Sequence, residues 1–144
     1  MKILRLLSIL LVVVMPARAS AYRFGVSGGS VGLSNGHPNA ADFRSINNYK
    51  AHLTIADVDV SLATTQALVG RVFEFKSGAF VIPAAGLVLD GNGSGPGFSA
   101  TFGWTAFCWG ICLYVELQNM IGAGPNRHLV SGSAARIGLD YSSN

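Results

Sequence analysis

The stretch Phe98-Ser99-Ala100-Thr101-Phe102-Gly103-Trp104-Thr105-Ala106-Phe107-Cys108-Trp109-Gly110-Ile111-Cys112-Leu113-Tyr114-Val115-Glu116-Leu117-Gln118-Asn119-Met120-Ile121 decides the fold class. Its first half sets Phe98, Ala100, Phe102, Trp104 and Ala106 against Ser99, Thr101, Gly103 and Thr105. Its second half sets Leu113, Val115, Leu117 and Ile121 against Cys112, Tyr114, Glu116, Gln118 and Met120, with Asn119 the exception on the apolar side. Side chains alternate between the two faces of a strand, so each half has one apolar and one largely polar face. Gly110 permits a tight turn between them, and the pair reads as a β-hairpin. Phe98 to Val115 is also eighteen residues without a charge, the length of a short membrane helix. Two internal glycines, dense aromatics and Thr, and the two-residue period oppose the helix.

Working outward, Ala135, Ile137, Leu139 and Tyr141 alternate with Arg136, Gly138, Asp140 and Ser142. Upstream, Ala67 to Phe75 and Ala79 to Leu89 flank Lys76-Ser77-Gly78, a hairpin turn in composition. Pro83 falls inside the second of these strands, which predicts a distorted or weakly paired position. Leu53 and Ile55 are apolar at odd positions, whereas Val58, Val60 and Leu62 are apolar at even ones. That change of phase requires a turn near Ala56-Asp57. Tyr22 to Ser34 reads as a Gly-rich first strand. Long connections are expected at Asn35 to Asn48, Asp90 to Gly97 and Gly122 to His128, and short ones near Ala56-Asp57, Lys76-Ser77-Gly78 and Trp109-Gly110-Ile111. Long loops on one rim and short turns on the other are the habit of outer-membrane barrels. Eight strands of nine to eleven residues take about 80 residues and leave about 40 for connections, so the length closes.

The N-terminus sets the expected compartment. Met1 to Arg5 is a basic start, Leu6 to Met15 an apolar run, and Pro16-Ala17-Arg18-Ala19-Ser20-Ala21 a small-residue cleavage region. This is the order of a secretory signal peptide, and residues 1–21 are read as one. Cleavage follows Ala19 or Ala21, with Ala21 the expected site, leaving residues 22–144 as a single domain. Three of the ten Lys and Arg (Lys2, Arg5 and Arg18) belong to the leader, so the rest carries seven cations against seven Asp and Glu. The formal charge of +3 is thus a property of the leader, and no basic cluster remains to track phosphates. Nucleic-acid binding is excluded on that ground. Charged residues make up 12% of the chain, against roughly a quarter in ordinary globular proteins. A barrel embedded in lipid does not need a charged outer surface.

These features resemble the small outer-membrane β-barrel proteins, the eight-stranded OmpA/OmpX-like group. The resemblance covers Tyr22 to Tyr141 and rests on the leader, the alternation and the loop lengths. It implies an all-β, antiparallel up-and-down transmembrane barrel in a bacterial outer membrane, with lipid around it. One departure stands out: such barrels end on an aromatic residue, whereas here Tyr141 is followed by Ser142-Ser143-Asn144.

Candidate chemistry is sparse. Cys108 and Cys112 flank the expected turn, and in an exported chain a structural disulfide is the expected pairing. Free thiols or a redox or metal pair are the alternatives, the last weak without a neighbouring His. His37 and His128, near Ser34 and Ser131, invite a catalytic reading, but no Gly-x-Ser-x-Gly elbow is present. The glycine-rich run Asp90 to Gly97 lacks the Lys-Ser/Thr of a phosphate loop and reads as a flexible connection. No enzyme activity, metal or cofactor is expected. The polar alternates Arg23, His52, Glu74, Glu116, Arg136 and Asp140 are expected inside the barrel. There they form either a filled polar core or the lining of a narrow pore. The expected function is a structural or surface-interaction role through the long loops, with a protein or ligand as partner. The alternatives are a pore and a secreted soluble barrel holding an apolar ligand.

Overall fold

The alternation along 98–121 becomes two adjacent antiparallel strands in the computed structural model, which describes residues 22–34, 44–90, 93–123 and 129–142. In chain order the strands are β1 (Tyr22–Ser34), β2 (Arg44–Ile55), β3 (Val58–Ala63), β4 (Gln66–Arg71), β5 (Phe73–Glu74), β6 (Ala79–Asp90), β7 (Gly93–Trp109), β8 (Ile111–Ala123) and β9 (Leu129–Ser142). Each pairs antiparallel with its neighbour, β9 returns to β1, and β4 and β5 both pair with β6. β4 and β5 are therefore two pieces of one strand, and the sheet is a closed eight-stranded barrel. Closure leaves no unpaired edge. Among the described residues there is no helix, so the helical reading of 98–115 is set aside.

Local chemistry explains the joints. The break between β4 and β5 lies opposite Pro83: the register runs Gly70↔Ala84 before it and Phe73↔Val81 after it. A proline has no N–H for the ladder, which accounts for the gap. The expected turn at Ala56-Asp57 is a two-residue hairpin in which both residues have positive φ, 48° and 69°. That geometry matches the twist of the flanking strands, although neither residue is a glycine. A bulge at Ala106 shifts the β7–β8 register between Thr105↔Tyr114 and Phe107↔Leu113. The shift sets Cys108 opposite Cys112.

One turn is not announced by the sequence, and three loop expectations need correction. A second two-residue turn at Thr64-Thr65 separates β3 from β4. It contains no Gly, Pro, Asn or Asp, so turn composition does not announce it. Gly93 to Gly97, expected in a flexible loop, is strand β7 paired with β6 from Asp90↔Gly93 to Gly86↔Gly97. Residues 44–48 and 122–123, also placed in loops, belong to β2 and β8. The expected leader, residues 1–21, lies outside the described residues.

Candidate functional site: the barrel interior and its outer belt

Inward positions follow from the two-residue period. Along β8, Cys112, Tyr114, Glu116, Gln118, Met120 and Gly122 are buried while most of their neighbours are exposed. Along β9 the buried set includes Val130, Ala134, Arg136, Gly138 and Asp140. Eight strands leave room for side chains but little else, so the inward residues meet across the barrel.

They are arranged in layers. Nearest the loop rim, Val31, Leu33, Val88, Met120, Val130 and Ala134 form an apolar layer. Below it lies a polar layer centred on Glu116, whose side chain is 1% exposed. Its Oε2 accepts from Lys50 Nζ at 2.8 Å, and its Oε1 accepts from Lys50 Nζ at 3.1 Å and Arg136 Nε at 2.5 Å. Arg136 also donates through Nη1 to Asn48 Oδ1 at 2.5 Å and through Nη2 to Gln118 Oε1. Gln66 donates to Gln118 Oε1 at 2.5 Å, and Gln118 donates to Ser99 Oγ at 3.0 Å. Asn48 donates to Thr65 Oγ1 at 3.0 Å. The network joins residues from most of the strands around the barrel. Two cations share one carboxylate, so neither charge stands alone in the interior.

Toward the turn rim, His52 Nε2 lies 2.7 Å from Asp140 Oδ1, and Thr54 donates to Asp59 Oδ1 at 2.9 Å. Phe80, Ile82 and Tyr114 pack beside them. At the rim itself Arg23 pairs with Glu74, both partly exposed. The space between His52, Asp59, Phe80, Tyr114 and Asp140 is about 20 Å³, room for about one water.

Volume inside is balanced by glycine. Gly138 pairs with Tyr114, and a Cβ there would come within 2.5 Å of the Tyr114 ring. Gly103 likewise faces Phe80, and Gly25 lies between His52 and Asp140. The bulky interior side chains thus occupy room that their register partners leave empty.

Of the six sequence-expected interior residues, His52, Glu116, Arg136 and Asp140 are buried and joined in pairs, while Arg23 and Glu74 close the turn rim. Sequence reasoning missed Asn48, Lys50 and Asp59. Lys50 is in phase with His52, alternating with Tyr49, Ala51 and Leu53, so extending that alternation backward would have found it. Asp59 sits between Val58 and Val60 in the same way. Cys108 and Cys112 form a disulfide beside Gly110. His37 and His128 lie outside the described residues, and no group of three or more potential metal ligands occurs among the described ones.

The outer face is the inverse. Val26, Leu53, Val60, Leu62, Val69, Leu87, Phe102, Val115, Leu117, Ile137 and Leu139 point away from the interior and are 40–63% exposed. Aromatics gather toward the turn rim: Tyr22, Phe24, Phe73, Phe75, Trp104, Phe107, Trp109 and Tyr141. Arg71 stands among them, its guanidinium 5.4 Å from the Phe73 ring centre. Compared with protein-family models, with curated proteins and with solved structures, the chain matches none of them.

Proposed function

We propose that this chain is an exported outer-membrane barrel, non-enzymatic, whose filled interior makes it a rigid scaffold and whose loops are its working surface. The observation that carries the reading is the inverted distribution of polarity: ion pairs inside, large apolar side chains outside. Monomeric soluble proteins rarely expose contiguous apolar patches beyond a few hundred Å². Thirteen residues of β8 rise roughly 30 Å at ordinary strand spacing and barrel tilt, comparable to the apolar band of such barrels. The aromatics at the turn rim fit a membrane interface, where amphipathic rings gather. Lipid then surrounds the belt, and the connections at the opposite rim face the partner, a surface protein or ligand. The cross-barrel network favours a plug over a pore, and the absence of an apolar cavity among the described inward residues weighs against a soluble binder.

Folding of the refolded domain into lipid vesicles tests this. Probes placed one at a time along 113–117 and 135–141 should be quenched by lipid-attached groups at alternate positions, Leu113, Val115 and Leu117 being the quenched ones. Val115→Arg should cost about 2–4 kcal/mol near mid-membrane. A domain soluble without detergent, with no quenching at any position, would overturn the reading. The export half has its own check: protein recovered from the envelope should begin at Tyr22, or at Ser20 if the earlier site is cut.

A further inference from the structure

The outer belt is not uniform. Along β1 the outward side chains shrink from Tyr22, Phe24 and Val26 to Gly28 and Ser30, and Ala135 of β9 pairs with Ser30. Taller residues flank this floor, Phe102, Trp104 and Leu117 on one side and Tyr49 and Leu62 on the other. The result is a groove of about 830 Å³ continuous with one of about 610 Å³, Gly28 and Ile137 lining both. In one wall, Trp104 Nε1 donates to the Ser77 carbonyl at 2.8 Å, which orients its ring.

The groove is graded in polarity along the strands. Its loop-rim end carries Ser30 and Asn47, and just beyond it Ser133 donates to Asn119 Oδ1 at 2.7 Å on the outer surface. Its other end is apolar: Val26, Trp104, Val115, Ile137 and Leu139. Lys50, Glu116 and Arg136 border it only from behind, since their side chains are buried in the barrel. Among the described residues, no charged side chain faces the groove from outside.

We propose that this groove is a binding site for one acyl chain of a membrane lipid, with uncharged hydroxyl, ester or amide groups of that lipid at the Ser30–Asn47 end. The inference rests on the membrane reading above. A single chain is thin enough to lie on the Gly28 floor, whereas a second barrel is convex and would bridge the walls without touching it. An uncharged polar head fits because Ser30 and Asn47 offer hydroxyl and amide groups and, among the described residues, no charged side chain stands at that end to act as a counter-ion. Gly28 keeps the floor low without being needed by the fold: a Cβ there meets only the Tyr49 ring, at 3.4 and 3.5 Å.

The chain has two tryptophans, Trp104 and Trp109, so each can be read alone in Trp109→Phe and Trp104→Phe variants. The refolded domain would be placed in phosphatidylcholine vesicles containing a minor fraction of brominated diacylglycerol or, separately, of brominated phosphatidylcholine. The site predicts that, in Trp109→Phe, diacylglycerol quenches Trp104 severalfold more than the same fraction of phosphatidylcholine. Gly28→Leu should abolish the preference, and Ala85→Leu, on the outer face of β6 away from the groove, should leave it intact. Equal quenching by both lipids would overturn the site while leaving the membrane reading in place. Quenching of Trp109 with Trp104 shielded would also overturn it, pointing to a second copy over the groove. No quenching of either tryptophan in fully brominated vesicles would instead remove the membrane reading itself.

Discussion

Replacing Glu116 by Gln keeps the shape of the side chain and removes the one carboxylate that Lys50 and Arg136 share. The three side chains are 0–2% exposed, so solvent offers the stranded cations almost no screening. An exposed pair would contribute little, about 0–1 kcal/mol, but removing one partner of a buried pair costs about 3–5 kcal/mol. The second cation places Glu116→Gln in the upper half of that range. Urea unfolding of the folded barrel, followed by tryptophan fluorescence, measures it: at a slope of about 2 kcal/mol per molar, the midpoint should fall by about 2 M. The companion variants separate charge from shape. Lys50→Met should also destabilise, and the Lys50→Met/Glu116→Gln double variant should recover at least about 1 kcal/mol relative to additivity, because it leaves only one stranded cation. A midpoint unchanged within about 0.5 M in Glu116→Gln, with the slope preserved, would refute the reasoning. The charges would then be hydrated, and the interior would be a water-filled passage rather than a packed core.

Further outcomes follow from the same packing. Gly138→Val should cost about 1–3 kcal/mol by forcing Tyr114 off its position, and Tyr114→Leu should relieve part of that cost, both read from unfolding midpoints. At the β2–β3 turn, the Ala56→Asn/Asp57→Gly double variant should stabilise by about 1 kcal/mol, since two left-handed positions would then hold residues suited to them. The disulfide closes a very small loop, so Cys108→Ser/Cys112→Ser should cost about 2 kcal/mol, the low end for such bonds. In unfolded, unreduced protein neither thiol should react with an alkylating reagent, which mass measurement detects.

What the sequence determined alone is the local period and therefore the side of each residue. Leu113 to Ile121 and Ala135 to Tyr141 declare their outward and inward members without any knowledge of what they face, because a strand reverses its side chains at every residue. The turn at Ala56-Asp57 is legible for the same reason, through its change of phase. The turn at Thr64-Thr65 is written in the same code, with Leu62 outward before it and Val69 after it, although its composition is silent. The two-residue period even marks Lys50 and Asp59 once the neighbouring strands are placed.

The tertiary structure decided which inward residues meet. Arg136 reaches Asn48 across 88 positions of chain, and Ser27 reaches Glu116 across 89. Those meetings depend on β9 returning to β1 and on the stagger of every strand between them, quantities that no local pattern contains. The fit of Gly138 to Tyr114 and of Gly103 to Phe80 belongs to the same level. So does the bulge at Ala106, which moves one ladder by a single residue and thereby sets Cys108 opposite Cys112. Alternation is a property of one strand, whereas closure is a property of all eight at once; the first assigns each side chain to a face, and only the second assigns it a partner.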